Sequence, residues 1–311
     1  MKSIYLITGF LGSGKTTFLK ARLTDTNSKV GVLINEFGKI SIDTITLEER
    51  GIEILELTNG SIFCSCLKEN FIKGLIHLVS LDLDEIYIES SGLSDPSDMD
   101  EVIKVIKDMF EPDSFEFKGT LCLVDGVYFK QELEKMVNVE RQICHSHHIL
   151  INKIDLISAD KIEEIVQMVH EINPEVGITP VSFGIVDWES LHIEKFYIKN
   201  EEKTNRVESK PKKVFLQFKS EPTMDQLKGF LEKMTSHFYR IKGFVYVDHM
   251  WYKVDLVNKQ IEIQPYKITK EDEKKDGYNG LVCLSSKGIA SIFHLSKMAE
   301  REIPMLYNLE M

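Results

Sequence analysis

The sequence predicts an α/β chain, a mostly parallel sheet with helices on both faces, followed by a smaller α+β domain. Three observations carry this reading. Short apolar runs alternate with helical patterns from residue 4 to about residue 182, at the spacing of βαβ units. The first of these units holds Gly9-x-x-x-x-Gly14-Lys15-Thr16 between its strand and its helix. A polar, charged stretch from Asn200 to Lys213 then precedes a second series of closely spaced strands. The expected boundaries are 1–194 for the first domain, 195–213 for a linker and 214–311 for the second domain. A chain of 311 residues is long enough to bury two cores.

Strand one ends in the loop Gly9-Phe-Leu-Gly12-Ser13-Gly14-Lys15-Thr16-Thr17. Its glycines let the backbone curl so that N–H groups face phosphate oxygens, and the helix that opens at Lys15 adds the positive end of its dipole. Lys15 is expected to reach the β- and γ-phosphates, and Thr16 to hold Mg²⁺. Val30 to Asn35 reads as a buried strand, and Ile52 to Leu57 as another that partly alternates. A helix follows from about Asn70 to Ser80. Glu85 to Glu89 is a strand that ends in an acid, with Ser90-Ser91-Gly92 after it. Further on come a helix, a strand (Thr120 to Asp125), a helix (about Phe129 to Cys144) and the strand His148 to Asn152. The helix Ala159 to Ile172 and a strand near Ile178 to Ser182 complete the domain. The second domain reads as strand 214–218, helix 224–236, strands 243–247, 252–256, 260–264 and 281–284, and a final helix 286–299. The charged segment 269–276 reads as a solvated loop.

Two motifs refine the triphosphate reading. Asn152-Lys153-Ile154-Asp155 stands at the carboxyl end of a strand, on the ligand side of such a sheet. The Asp carboxylate can accept both guanine N1–H and the exocyclic amine, a pair that adenine does not offer. The Lys stem covers the base and Asn ties the loop to the phosphate loop, so the site is expected to bind GTP and GDP. The backbone of Ser182 is a further expected base contact. Glu89 is placed to hold Mg²⁺ through a bound water, and Gly92 to bring a backbone N–H to the γ-phosphate. Asp125 ends the next strand similarly and is read as structural. With no Gln or Arg evidently placed to orient the attacking water, slow intrinsic hydrolysis is expected.

Cys64-Ser-Cys66 lies between the two segments expected to respond to nucleotide. Two thiolates one residue apart can share a metal with a third ligand, although two reduced thiols explain the pair equally well. Cys144, His145, His147 and His148 close a helix at spacings compatible with one metal, or with a plain helix end that complements its dipole.

Taken together these residues resemble the CobW-type GTPases, relatives of the nickel-insertion GTPases of urease and hydrogenase maturation. The similarity rests on the phosphate loop, Asn35-Glu-Phe-Gly38 with Asp43, Leu57-Thr-Asn-Gly60 before cysteines, Glu89-Ser-Ser-Gly92 with Pro96, Asn152-Lys-Ile-Asp155, and Arg240-Ile-Lys-Gly-Phe244 in the second domain. The resemblance implies a GTP-driven metallochaperone or metal-cofactor insertase that delivers a transition metal to a client metalloprotein. Zinc is the first expectation, with cobalt, nickel or iron open, and self-association compatible with it. Glu36, Cys64 and Cys66 are the metal ligands implied by the same resemblance. The chain departs from the family at Asn59-Gly-Ser-Ile-Phe-Cys-Ser-Cys66, which lacks at least one thiol of the usual Asn-Gly-Cys-x-Cys-Cys, and its linker contains no His. That departure keeps open a regulatory GTPase that acts on a metalloenzyme or corrinoid protein without carrying metal.

The bulk properties agree. A net charge of −11 argues against general nucleic-acid affinity. No apolar run reaches the length of a membrane span, and Met1-Lys2 leads straight into a strand. Five cysteines, odd in number and unevenly spaced, fit reduced thiols in a cytoplasm.

Overall fold

The computed structural model describes residues 1–34, 52–56, 68–188, 191, 193, 213–218, 220–235, 237–257, 259–268, 280–285 and 305–310. The chain divides into two compact units, Met1–Ser209 and Lys210–Met311.

The first unit is built on seven parallel strands: β1 (Lys2–Gly9), β2 (Val30–Ile34), β3 (Glu53–Glu56), β4 (Glu85–Glu89), β5 (Phe115–Asp125), β6 (His148–Asn152) and β7 (Gly177–Pro180). Their order is β3-β2-β4-β1-β5-β6-β7, and every neighbouring pair runs parallel. Such a sheet needs helices on both faces, which is why β2 and β6 are buried at every residue instead of alternating. The helices are α1 (Lys15–Asp25), α2 (Lys68–Ser80), α3 (Met99–Lys107), α4 (Phe129–Lys135), α5 (Val137–Cys144) and α6 (Ala159–Ile172). One core packs Phe71, Leu75 and Leu78 of α2 with Val102 and Ile106 of α3 against Ile4, Leu6, Ile86 and Ile88. The other packs Phe18, Leu19 and Leu23 of α1 against Tyr5, Ile7, Val32 and Leu121. Ile4 and Leu6 thus face one core and Tyr5 and Ile7 the other, as the two-residue period of a strand requires. The strands β2, β3 and β4 all lie on one side of β1, and β5, β6 and β7 on the other. The crevice for a ligand therefore falls at the carboxyl end of β1.

Two elements of this unit differ from the sequence reading. The helix expected over 129–144 is broken at Met136, whose φ of −129° and ψ of 104° are extended. Beyond the break, polar side chains of α5 reach the loop after β4. Strand β5 begins at Phe115, five residues before the expected Thr120. Its first half was masked by Glu116 and Lys118 and by a bulge. Ile4 pairs with Phe117 and Tyr5 with Gly119, leaving Lys118 as the extra residue. Gly119 carries the left-handed φ of 132° that this demands.

The second unit is an antiparallel sheet with one described helix. Its strands are β8 (Lys213–Phe218), β9 (Phe238–Val247), β10 (Met250–Val257), β11 (Gln260–Pro265), β12 (Gly280–Ser285) and β13 (Met305–Glu310), in the order β11-β10-β9-β12-β8-β13. Helix α7 (Met224–Met234) opens on a capping box between Thr223 and Gln226. It buries Leu227, Phe230, Leu231 and Met234 against Leu216, Ile241, Val245, Val254 and Leu281. The β9–β10 hairpin turns on Asp248 and His249, both at positive φ (47° and 64°), the pattern of a two-residue type I′ turn. Strand β13, which pairs with β8, had no clear signal in the sequence. The expected loop 269–276 and final helix 286–299 lie outside the described residues, as does the expected linker except for Lys213, which begins β8.

Candidate functional site

The loop between β1 and α1 is shaped by three glycines at positive φ: Gly9 (134°), Gly12 (80°) and Gly14 (99°). Space as well as conformation requires two of them. A Cβ on Gly9 would lie 2.2 Å from the Leu123 carbonyl oxygen of β5, and one on Gly14 would lie 2.2 Å from Asn152 Nδ2 at the end of β6. The loop is therefore wedged between the carboxyl ends of two strands. Lys15 Nζ donates to the carbonyls of Gly9 (2.8 Å) and Phe10 (2.9 Å), so its ammonium group arches across the mouth of the loop. Ser13 is buried, whereas Gly12 and Thr17 are exposed.

Thr16 and Glu89 meet across the crevice. The Thr16 hydroxyl donates to Glu89 Oε1 at 2.8 Å, and Glu89 is almost wholly buried at the end of β4, opposite Ile7 of β1. Gly92 lies against the phosphate loop, where a Cβ would sit 2.7 Å from the Leu11 backbone nitrogen. The two acids weighed from sequence have different partners. Asp125 Oδ2 accepts from Lys153 Nζ at 2.7 Å. Its Oδ1 accepts from the backbone N–H groups of Val127 and Tyr128.

Asn152 joins three segments. Its Nδ2 donates to the Ser13 carbonyl at 2.9 Å, and its Oδ1 accepts from the Gly184 N–H at 3.1 Å. Lys153 takes a left-handed φ of 64° and anchors on Asp125, which fixes the course of its stem. Asp155 is exposed in the single turn Ile154–Leu156, its carboxylate at the surface of the same loop. Ser182 begins the turn that Asn152 grips. Its carbonyl accepts from Ile185 N–H at 3.0 Å, with Phe183 (φ 55°) and Gly184 (φ 69°) between them. Gly184 had no role in the sequence reading, although the run Pro180-Val-Ser-Phe-Gly184 contained the only available hint, a glycine where a turn must close.

Two histidines of the Cys144–His148 cluster bond within the fold. His147 Nδ1 accepts from the Thr120 backbone N–H at 3.1 Å, and His148 Nε2 pairs with the Thr179 hydroxyl at 2.9 Å. The Cys144 carbonyl caps onto Asn173, and His145, His147 and His148 are all buried. Among the described residues no group of three or more His, Cys, Asp or Glu is arranged to hold a metal ion. Glu36, Asp43, Cys64 and Cys66 lie outside the described residues. Burial pushes the Cys122 thiol, on β5 behind the phosphate loop, up to about 12.

A glycine-wedged loop at the switch point of a parallel sheet, an acid facing the loop threonine and an Asn-Lys-x-Asp turn tied to that loop define a P-loop GTPase. The chain belongs to the CobW/HypB/UreG family, whose nucleotide-binding domain it matches over residues 3–180. It is similar to the zinc chaperone YjiA of Escherichia coli, at 28% identity over 69% of this chain and 67% of that protein. Zinc-regulated GTPase metalloprotein activator 1 of Schizosaccharomyces pombe is 29% identical over 59% of this chain and 46% of its own length. The zinc chaperone CobW of a Sinorhizobium species is 30% identical over 51% and 53%. The chain spans about half the length of these last two relatives.

Proposed function

We propose that this protein binds and hydrolyses GTP and uses the nucleotide state to control the binding and delivery of a transition metal to a client metalloprotein. The observation that carries the nucleotide half is the double hydrogen bond of Asn152, which ties the exposed Asp155 loop and the Ser182 turn to the phosphate loop. Phosphate recognition and base recognition then share one rigid frame. A Mg²⁺ ion suits the Thr16 hydroxyl and the buried Glu89 carboxylate, a pair of hard oxygen donors side by side. Thr16 and Glu89 would hold the ion, which would supply positive charge to offset the negative charge of the phosphates. Lys15 turns its ammonium from the Gly9 and Phe10 carbonyls to the phosphates. Hydrolysis is expected to be slow without a partner.

The metal is cargo, and zinc is the first choice, from the family and from relatives named as zinc chaperones. Glu36, Cys64 and Cys66 are the proposed ligands, and a client metalloprotein is the proposed partner. No helix among the described residues is long and apolar enough to cross a membrane. The proposed location, from the chaperone relatives, is the cytoplasm. The departure at Asn59-Gly-Ser-Ile-Phe-Cys-Ser-Cys66 favours a second reading, a regulatory GTPase that carries no metal.

Calorimetric titration of zinc into the protein loaded with GDP, and separately with a non-hydrolysable GTP analogue, tests both readings. Linkage requires a metallochaperone of this kind to bind zinc with different affinity in the two states, and zinc to change GTP affinity by the same factor. Equal zinc affinity in both states overturns the coupling. No zinc binding in either nucleotide state, or function left unchanged by Cys64→Ser/Cys66→Ser, favours the second reading.

A further inference from the structure

The loop after β4 is held by a helix that no nucleotide motif includes. Ser94 N–H donates to the Ser91 carbonyl at 3.0 Å, closing a turn with Gly92 and Leu93 at its centre. The next three carbonyls are all taken by side chains of α5. Gln142 Nε2 donates to Gly92 O at 3.1 Å and to Ser94 O at 2.9 Å, and Asn138 Nδ2 donates to Leu93 O at 2.5 Å. Asn138 and Gln142 stand four residues apart, on one face of the helix. Between them in sequence, Arg141 forms a buried ion pair with Asp95 at 3.5 Å, and Asp95 in turn caps the Ser97 N–H. Each carbonyl shares a rigid peptide plane with the N–H of the following residue. The four planes from Ser91–Gly92 to Ser94–Asp95 are therefore all fixed, including the one that carries the Gly92 N–H.

From this geometry we infer that α5 is a latch that sets the orientation of the Gly92 turn, with Gln142 and Asn138 as positioning residues for the γ-phosphate response. The inference rests on the nucleotide reading above and adds to it the element that presents Gly92. A turn held in place before the phosphate arrives costs no reorganisation when it binds, so the latch favours the triphosphate state. The β- and α-phosphates are met by the loop of Gly9 to Thr17, which α5 does not restrain through these bonds. The diphosphate should feel the latch only indirectly, through the packing of Gly92 on Leu11.

Gln142→Glu tests this directly, because it keeps size and shape but replaces the donating NH₂ with an oxygen beside carbonyl oxygens. The half-buried Asn138 supplies a milder companion, Asn138→Asp. Affinities for GDP and for a non-hydrolysable GTP analogue are measured by calorimetry, single-turnover hydrolysis by quench, and folding by the thermal midpoint with GDP bound. The expected result is a GTP-analogue affinity and a single-turnover rate each lowered about 10-fold or more, within the usual range of coupling between sites. GDP affinity should stay within about 2-fold. A helix that merely supports the fold would shift both nucleotides and the thermal midpoint together, and that outcome overturns the latch. So does an unchanged GTP-to-GDP affinity ratio in both variants. If the unaltered protein binds no guanine nucleotide, the nucleotide reading falls first and the latch with it. Should Gln142→Glu fail to fold, the ratio measured on Asn138→Asp decides.

Discussion

Thr16 donates its hydroxyl hydrogen to Glu89 Oε1 across 2.8 Å, joining the first turn of α1 to the end of β4 over 73 residues of sequence. The contact exists because β1 and β4 are parallel neighbours with Ile7 opposite Glu89, which brings both strand ends to the same crevice. It also makes Glu89 the acid through which magnesium chemistry should run. Glu89→Gln keeps a hydrogen-bond acceptor for Thr16 but removes the negative charge. GDP binding should persist, while Mg²⁺-dependent single-turnover hydrolysis falls on the order of 10²-fold. A hydrolysis rate unchanged at saturating Mg²⁺ would remove Glu89 from the mechanism.

Base selection should separate from stability in the Asn152 motif. Asp155 is exposed, so Asp155→Asn should leave the thermal midpoint alone and move preference from guanine toward xanthine nucleotides, whose 2-oxo group accepts from the new amide. Asn152 is buried and bonded on both sides. Asn152→Ala should cost about 2 kcal/mol in urea unfolding, because it leaves the Ser13 carbonyl and the Gly184 N–H without this partner. Competition binding with GTP, XTP and ATP checks the first effect.

Cys122 and Cys283 are both buried. Desolvation disfavours their thiolates, pushing Cys122 up to about 12 and Cys283 up as well. At pH 8 the native protein should leave both unmodified by iodoacetamide, and unfolding in urea should expose both, as read by peptide mass mapping. The sign for stability follows from a folded value above the unfolded value near 9. The contribution is fully present below about pH 9 and is lost as pH rises toward about 12. The unfolding midpoint of Cys122→Ala should accordingly depend less on pH across that alkaline window.

Phe183 occupies the left-handed region at φ 55°, and the residue is 66% exposed. A bulky side chain is strained there, and glycine is not. Phe183→Gly should raise stability by on the order of 0.5 kcal/mol, the relief of left-handed strain less the added freedom of glycine in the unfolded chain. A lowered thermal midpoint would mean that the ring packs in solution.

The candidate nucleotide site was legible because its residues are contiguous in two short runs. Gly9 to Thr17 and Asn152 to Asp155 each carry their own spacing, and any fold that places them on strand ends gives them their chemistry. The strands read equally well wherever burial on both faces made them uniformly apolar, as in β2 and β6. Legibility ended where a partner came from far along the chain. Asn138 and Gln142 look like ordinary polar helix residues, and nothing in their own neighbourhood points to the carbonyls of Gly92, Leu93 and Ser94.

By itself the sequence determined the phosphate loop, the guanine-type motif, the parallel α/β order and the family. These depend on backbone conformation and on side-chain chemistry within a few residues, both of which spacing records. Tertiary structure alone decided the break at Met136, the bulge at Lys118, and the use of His147 and His148 in sheet and loop hydrogen bonds. Each of those is a choice between partners that the chain brings together only on folding. The buried group takes whichever donor or acceptor packing puts within reach, because going without one costs more than the local preference it overrides.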